Sequence, residues 1–231
     1  MSIQIHACSF ASDNFLRQQR LQQAQLIDIG FPPSRIHMQH LSSLDNLFME
    51  RFPQACEANK FAYYAFKPYF LELILKSIPH GDILLYLDTN DRPLSGISHY
   101  LENSFQAQPQ MNILCSGTNY FNIFYSSWYH KRNISFELLI GSMIRFQPET
   151  GVLAVRHCTE SLALLRVWYE LTLIHAQFLI KQSDPRSRPD QETLFMLCRL
   201  NKSIKVESWI YSKIFKTGLR MYVDWEYYRY A

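Results

Sequence analysis

A run of five apolar or aromatic residues, Ile83 to Leu87, constrains the fold of this chain more than any other stretch. The run is too short for a free-standing helix and too continuous for a strand with one wet face, so it predicts a strand buried on both faces. Asp88, Asn90 and Asp91 follow directly, and Pro93 stops the strand. Because ligands bind outside the carboxyl ends of strands in open α/β sheets, we expect this acidic turn to form the functional site.

The residues at the start of the chain predict the opening of a βαβ unit. Residues 2–10 alternate apolar and polar side chains, which indicates a first strand. A helix is predicted to start after an N-cap at Ser12 or Asp13 and to run to Gly30, and residues 35–41 predict a second strand. We therefore expect an α/β fold with a mainly parallel central sheet flanked by helices.

The rest of the chain continues the alternation of helices and strands. Pro68 suits the first position of a helix whose apolar face extends to Ile78. The further predicted elements are a helix at 95–105, a strand at 111–115, strands at 143–146 and 152–155 joined by a turn at 148–151, a helix from Thr159 to about Gln182, and a helix that begins at Pro189.

Composition favours one globular domain. The chain has 231 residues, of which 48% are hydrophobic and 19% charged, and this is enough to bury a full core. The formal charge of +3, without a long basic run, gives no argument for nucleic acid as a partner. We expect a domain over residues 1–203. The aromatic and basic residues 204–231 then pack on it or are appended to it, or form an acceptor platform, a membrane contact or an oligomer interface.

The cysteines and the length of the apolar runs indicate in which cellular compartment the protein is expected. The five cysteines are widely spaced and include no Cys-x-x-Cys pair, which indicates reduced thiols. No signal peptide and no transmembrane segment are predicted, because no apolar stretch approaches the ~20 residues that span a bilayer. We therefore expect a cytoplasmic protein, with peripheral contact at the inner membrane face left open.

Several common functional classes lack their motifs. The sequence contains no Gly-x-Gly-x-x-Gly, no P-loop and no Gly-x-Ser-x-Gly, so the dinucleotide-binding, P-loop and esterase classes are disfavoured. His37 and His40 lie three residues apart on a predicted strand, hence on opposite faces, which argues against a zinc site. His175 lies on an apolar helical stripe and is expected to be a hydrogen-bonded core residue.

Four stretches together carry a family likeness. Residues 66–70 and 81–88 resemble the bacterial and viral nucleotide-sugar glycosyltransferases of GT-A fold, in which a Lys-Pro helix precedes a GDxxxYxD strand. Residues 150–156, followed by Trp168, look like the acceptor-side strand and helix, and residues 189–195 look like the start of the family's DQ helix. The resemblance implies an enzyme that moves a sugar from a UDP- or GDP-linked donor to a saccharide or glycoconjugate acceptor.

The resemblance also implies a divalent metal, Mn²⁺ or Mg²⁺. Asp88 is the first ligand that it suggests, with Asn90 or Asp91 as the second ligand or as a contact to the donor. The family's motif is commonly Asp-x-Asp, whereas the third residue here is Asn90 and the second carboxylate comes one residue later. Hard cations accept carboxylate and amide oxygens alike, so this departure still permits metal binding.

Three basic residues are assigned to the donor. Lys67 lies at the start of its predicted helix, where a cation and free backbone N–H groups could face a diphosphate. Arg186 and Arg188 precede the last predicted helix and could clamp a phosphate. The simpler alternative for Lys67 is a solvated side chain.

By resemblance, Asp190 is the catalytic candidate, either as a group that binds a sugar hydroxyl or as a base. Gln191 and Trp168 are placed on the acceptor side. Asp190 could also only complement the positive end of its helix, and the acidic turn after the buried strand could be an ordinary solvated loop. Two other functions stay open, a sugar-binding or assembly protein without catalysis and, less favoured, a phosphohydrolase that uses Asp88 and Asp91.

Overall fold

The computed structural model describes residues 3–44, 48, 50, 64–118, 147–180, 189–208 and 219–225. It confirms the expected α/β class. The strands are β1 (Ile5–Ala11), β2 (Ile36–His40), β3 (Ile83–Leu87), β4 (Asp91–Pro93), β5 (Ile113–Thr118), β6 (Gln147–Arg156), β7 (Ile204–Ser208) and β8 (Val223–Trp225). The α-helices are α1 (Leu16–Asp28), α2 (Phe66–Leu75), α3 (Ile97–Ala107), α4 (Thr159–Ile180) and α5 (Pro189–Leu200).

A six-stranded sheet forms the centre of the fold, in the order β2-β1-β3-β6-β5-β7. β1 is parallel to β2 and β3, and β5 is parallel to β7. Only β6 runs antiparallel to both of its neighbours, β3 and β5. The sheet is therefore mostly parallel, as expected, and β3 lies within it with a strand on each side.

Helices cover both faces of this sheet. On one face Ile83, Leu85 and Leu87 of β3 pack in a cluster that includes residues of α1 and α3. On the other face Leu84 and Tyr86 pack in a cluster that includes residues of α2, α4 and α5. All five residues of β3 are buried, so the prediction of a strand covered on both sides is confirmed.

The first predicted strand is confirmed as β1, and all seven of its residues are buried. His6 has polar partners inside, because its Nε2 lies 3.4 Å from Asp82 Oδ2 and its Nδ1 lies 3.2 Å from His37 Nε2. Polar side chains are tolerated in a protein interior when such partners satisfy them.

The turn predicted at 148–151 is also wrong. Residues 147–156 form a single strand, β6, and Thr150 and Gly151 lie inside it. Pro148 pairs with Gly117 next to a register shift in β5, so an irregularity in the ladder accommodates the proline near the strand start. The predicted strand at 143–146 lies outside the described residues.

The helix predictions need smaller corrections. α2 begins at Phe66, so Pro68 is its third residue and not its first. The first turn tolerates proline because its N–H groups have no helical partner. α5 begins at Pro189, as predicted. His175 is 2% exposed and its Nε2 lies 3.3 Å from Glu192 Oε2, which agrees with a core residue.

The described part of the C-terminal segment joins the fold at two places. β7 is an edge strand of the main sheet, and β8 pairs antiparallel with β4, where Trp225 is opposite Asp91. Glu207 of β7 accepts hydrogen bonds from the Tyr100 hydroxyl and from the Leu219 backbone N–H. These contacts fasten residues 219–225 beside the acidic turn.

Two further observations concern thiols and membrane spans. The four described cysteines, Cys8, Cys115, Cys158 and Cys198, are free thiols. Among the helices in the described ranges, none is both long and apolar enough to cross a bilayer.

A glycine next to the C-terminal segment gives a stability prediction. Gly96 has φ +87°, and a Cβ there would lie 3.3 Å from the Tyr222 ring. Gly30 has φ +102° with nothing within 4 Å of such a Cβ. We expect Gly30→Ala to cost roughly 1–2 kcal/mol of unfolding free energy from backbone strain alone, and Gly96→Ala to cost more. Urea denaturation measures both, and equal costs would contradict the contact with Tyr222.

Candidate functional site

Asp88 lies at the carboxyl end of β3, where the sequence placed the site. Its backbone N–H donates to the Gly151 carbonyl at 2.8 Å, and its own carbonyl accepts the Asp91 N–H at 2.8 Å. These two bonds end the strand and close a tight turn. The Asp88 side chain is 43% exposed, so its carboxylate is accessible at the sheet edge.

Lys67 of α2 is the cation of this site. Its Nζ lies 3.1 Å from Asp88 Oδ1 and 3.6 Å from Asp190 Oδ2, and the side chain is only 4% exposed. The ammonium also donates to the carbonyl and the hydroxyl of Thr150, both at 3.3 Å. The structure therefore places Lys67 between two carboxylates and does not leave it solvated.

The neighbouring carboxylates keep Lys67 in its charged form. Burial lowers the pKa of Lys67, but Asp88 and Asp190 raise it by more, so the pKa lies above its ordinary value. The Tyr86 hydroxyl donates to Asp88 Oδ1 at 2.8 Å, and burial together with the Asp88 charge raises the pKa of Tyr86 well above its usual range. The lysine is therefore charged and the tyrosine neutral at physiological pH.

Asp190 lies in the first turn of α5 and is 1% exposed. Its Oδ2 accepts a 2.6 Å hydrogen bond from the Thr150 hydroxyl, and its backbone carbonyl accepts one from Trp168 Nε1 at 2.8 Å. Burial raises the pKa of Asp190, while the Lys67 charge and the Thr150 hydrogen bond lower it in part. Its other oxygen, Oδ1, is buried and has no hydrogen-bond partner within the part of the chain that the structure describes.

Gly151 keeps a small space open between two carboxylates. A Cβ at this residue would lie 3.0 Å from Asp88 Oδ2 and 3.2 Å from Asp91 Oδ2, so both oxygens face the space that a side chain would fill. Asn90 Oδ1, from the same turn, is buried without a hydrogen-bond partner among the described residues. Two carboxylates and one amide oxygen suit a hard divalent cation that takes its remaining ligands from substrate and water.

The described residues contain no group of three or more His, Cys, Asp or Glu side chains that could hold a metal ion on their own. As far as the described residues go, a cation in this turn would add the amide oxygen of Asn90 and oxygen atoms of a substrate or of water to the two carboxylates. This fits Mg²⁺ and Mn²⁺ sites in which phosphates supply ligands.

The remaining predicted site residues have different placements. Trp168 is 1% exposed, so its ring is covered, and its indole supports the backbone at Asp190. Gln191 is partly buried and follows Asp190 in the first turn of α5. Arg186 and Arg188 lie outside the described residues.

Sequence reasoning missed the roles of Tyr86, Thr150 and Gly151. All three stood in the stretches that resemble glycosyltransferases, but none had a chemical reason to be singled out. Thr150 lies 83 residues from Lys67 in sequence, and only the antiparallel pairing of β6 with β3 brings it to the lysine. A buried strand does not by itself indicate which inward residue will face a charge.

Comparison with known proteins gives a fold likeness. A viral glycosyltransferase involved in the glycosylation of the major capsid of PBCV-1 matches with a TM-score of 0.51 at 13% identity, covering 89% of this chain and 82% of that one. Mouse xyloside xylosyltransferase 1 matches with a TM-score of 0.52 at 11% identity, covering 96% and 97%. At these identities the likeness shows the fold, which is the GT-A arrangement.

The sequence comparisons add no relative. No protein-family model matches this chain, and no curated protein matches it.

The buried charge cluster gives a second stability prediction. Lys67→Met would leave the fully buried Asp190 carboxylate without its cation, and we expect a loss of about 3 kcal/mol of unfolding free energy. Lys76→Met is the matched control, because its ion pair with Glu72 is half exposed on the lysine side and should contribute under about 1 kcal/mol. Urea unfolding at neutral pH measures both losses.

If Lys67 and Asp190 act as a pair, the double variant Lys67→Met/Asp190→Asn should lose less stability than the sum of the two single variants. Strict additivity would show that the two side chains do not interact as the distance indicates.

Proposed function

We propose that this protein is a glycosyltransferase that moves a sugar from a nucleotide-diphosphate donor, UDP- or GDP-linked, to a saccharide or glycoconjugate acceptor. The observation that carries the proposal is the half-exposed Asp88 carboxylate at the carboxyl end of β3, next to the buried Lys67 and Asp190. A GT-A fold of this kind also occurs in a viral glycosyltransferase and in a mouse xylosyltransferase. Fold likeness alone does not assign a reaction, so the proposal depends on the site.

Asp88, Asp91 and Asn90 are proposed to hold Mn²⁺ or Mg²⁺. The carboxylate oxygens of Asp88 and Asp91 face one small space beside Gly151, and the amide oxygen of Asn90 in the same turn lacks a hydrogen-bond partner among the described residues. When bound, a divalent cation would neutralise the negative charge that develops on the leaving diphosphate.

Lys67 is proposed to support the donor site through its contacts with Asp88 and Thr150. Its Nζ bonds to Asp88 and Thr150 and is buried, so it fixes the direction of the Asp88 carboxylate and offsets part of the negative charge of the cluster. A carboxylate held in one orientation loses less entropy when it binds a ligand. Contact of the lysine with a donor phosphate would require the ammonium to leave these partners.

Asp190 is proposed as the catalytic residue that contacts the sugar. Its Oδ2 is engaged by Thr150, and its Oδ1 has a free acceptor position among the described residues. A sugar hydroxyl that donates to Oδ1 would satisfy this buried oxygen. Trp168 is proposed to act through Asp190, because its indole N–H donates to the Asp190 backbone carbonyl, and Gln191, the next residue in α5, is proposed to lie on the acceptor side. Arg186 and Arg188 remain proposed phosphate ligands.

Calorimetric titration with UDP and GDP, each with and without Mn²⁺, tests the proposal directly. Metal-dependent nucleotide binding is expected. A panel of nucleotide sugars then identifies the donor by hydrolysis or by thermal stabilisation of the protein. Sugar binding without nucleotide binding would instead indicate a non-catalytic protein, and release of phosphate or of a nucleoside monophosphate without sugar transfer would indicate a phosphohydrolase.

Asp88 gives the first activity prediction. Asp88→Asn removes a carboxylate that faces the metal space, and a loss of about 3 kcal/mol of transition-state stabilisation would lower kcat/KM roughly a hundredfold. Asp28→Asn is the control, because Asp28 is an exposed residue at the end of α1. Steady-state kinetics with the identified donor measures both. Near-normal transfer by Asp88→Asn would remove this site assignment.

Gly151 gives a second prediction. Gly151→Ala places a methyl group 3.0 Å from Asp88 Oδ2 and 3.2 Å from Asp91 Oδ2, so at least one carboxylate must move. We expect the affinity for Mn²⁺ with nucleotide to fall about tenfold or more. Gly81→Ala is the control, because a Cβ there meets nothing within 4 Å, although its φ of +93° adds a backbone strain that Gly151→Ala does not have. Equal affinities in the two variants would show that the space beside Gly151 is not used.

A further inference from the structure

We propose that Gln22 of α1 is a positioning residue that holds the acidic turn in the shape the site needs. The inference rests on the proposed function, because it concerns the same metal and donor site. In the sequence, Gln22 is one of several glutamines on the first predicted helix.

The contacts of Gln22 are specific to the turn. Its side chain is 0% exposed, and its Nε2 donates to the Asp88 carbonyl and to the Asp91 carbonyl, both at 2.7 Å. These are the backbone carbonyls of the two residues whose carboxylates face the space beside Gly151. Both hydrogens of one amide group therefore go to the two ends of one turn.

These bonds fix the turn at two points. Within the turn, the Asp91 N–H donates to the Asp88 carbonyl. A second tie to α1 comes from Arg92, whose Nη1 donates to the Gln18 carbonyl and to the Thr89 carbonyl at 3.2 Å each. With the backbone held at Asp88 and Asp91, the directions of both side chains are restricted before any ligand binds. Preorganisation of this kind reduces the entropy lost on binding.

The position requires a side chain with two N–H donors. Gln22 Oε1 is buried and has no hydrogen-bond partner among the described residues, so the contacts to the turn come from the nitrogen. A methionine fills a similar volume but has no donor, and a glutamate would place a carboxylate against two carbonyl oxygens. All three side chains have a similar shape, but of the three only glutamine can donate both hydrogen bonds to the turn.

The chain offers a matched control on the same helix. Gln19 is also buried, and its Nε2 donates to the Gln39 carbonyl at 2.8 Å and to the Ser9 carbonyl at 3.3 Å. These bonds fasten α1 to β1 and β2 and do not reach the acidic turn. Gln19→Met therefore removes the same chemistry from the same helix without touching the site.

The test compares Gln22→Met with Gln19→Met by two measurements at a temperature where both variants are folded. Hydrogen exchange of the backbone amides at residues 89–92 reports on the turn itself. The dissociation constants for UDP and GDP with Mn²⁺ report on the site. For Gln22→Met we expect at least tenfold faster exchange at these amides and at least tenfold weaker metal-dependent nucleotide binding. For Gln19→Met we expect both values to stay within twofold of wild type.

The possible outcomes separate the inference from the function it rests on. If the wild type binds nucleotide with metal and Gln22→Met binds equally well, the positioning role is wrong and the function stands. If the wild type shows no metal-dependent binding, the proposed function fails whatever the exchange rates are. Equal weakening in the two variants would show a general effect of loosening α1, which also overturns the inference.

A wild-type measurement covers the case in which the methionine variant does not fold. The Asp91 amide should exchange as slowly as the amides in the middle of α1, because the turn is fastened to that helix. Exchange of the Asp91 amide at the rate of a free loop would show that Gln22 does not hold the turn, and would overturn the proposal.

Discussion

One buried ammonium organises the acidic end of this fold. Lys67 lies within 3.1 Å of Asp88 and 3.6 Å of Asp190, two carboxylates that come from different elements. Without this cation, Asp190 would be a buried charge with hydrogen bonds but no counter-ion, which is costly in a protein interior. The charge of Lys67 therefore allows the end of β3 and the start of α5 to lie next to each other. Other features of the site depend on that meeting.

The antiparallel direction of β6 brings Thr150 and Gly151 to the site. Because β6 runs antiparallel to β3, its residues 150 and 151 lie next to the end of β3, where a parallel strand would place its own carboxyl end. Thr150 then bridges Lys67 and Asp190, and Gly151 leaves room for the carboxylates of the turn. A sheet with one reversed strand thus brings small, hydrogen-bonding residues to an edge that carries charge.

Much of the fold was predictable from residue types. Ile83 to Leu87 could only be a strand covered on both faces, and the acidic turn had to follow it, so the location of Asp88 was correctly expected. Gly30 marked a helix end because glycine accepts a positive φ, here +102°, and Pro189 marked a helix start because its ring fixes φ near the helical value. The turn expected at 148–151 failed because proline and glycine also occur in strands where a register shift absorbs them.

The sequence by itself determined the alternation of helices and strands, the buried central strand and the acidic residues after it, because local backbone preferences and hydrophobic patterns act over a few neighbouring residues. Only the tertiary structure decided that Lys67 is buried between carboxylates, that Thr150 and Gly151 line the same place, and that Gln22 reaches the turn. These contacts join residues tens of positions apart, and strand order and direction in the sheet set their distances. No local pattern contains that information.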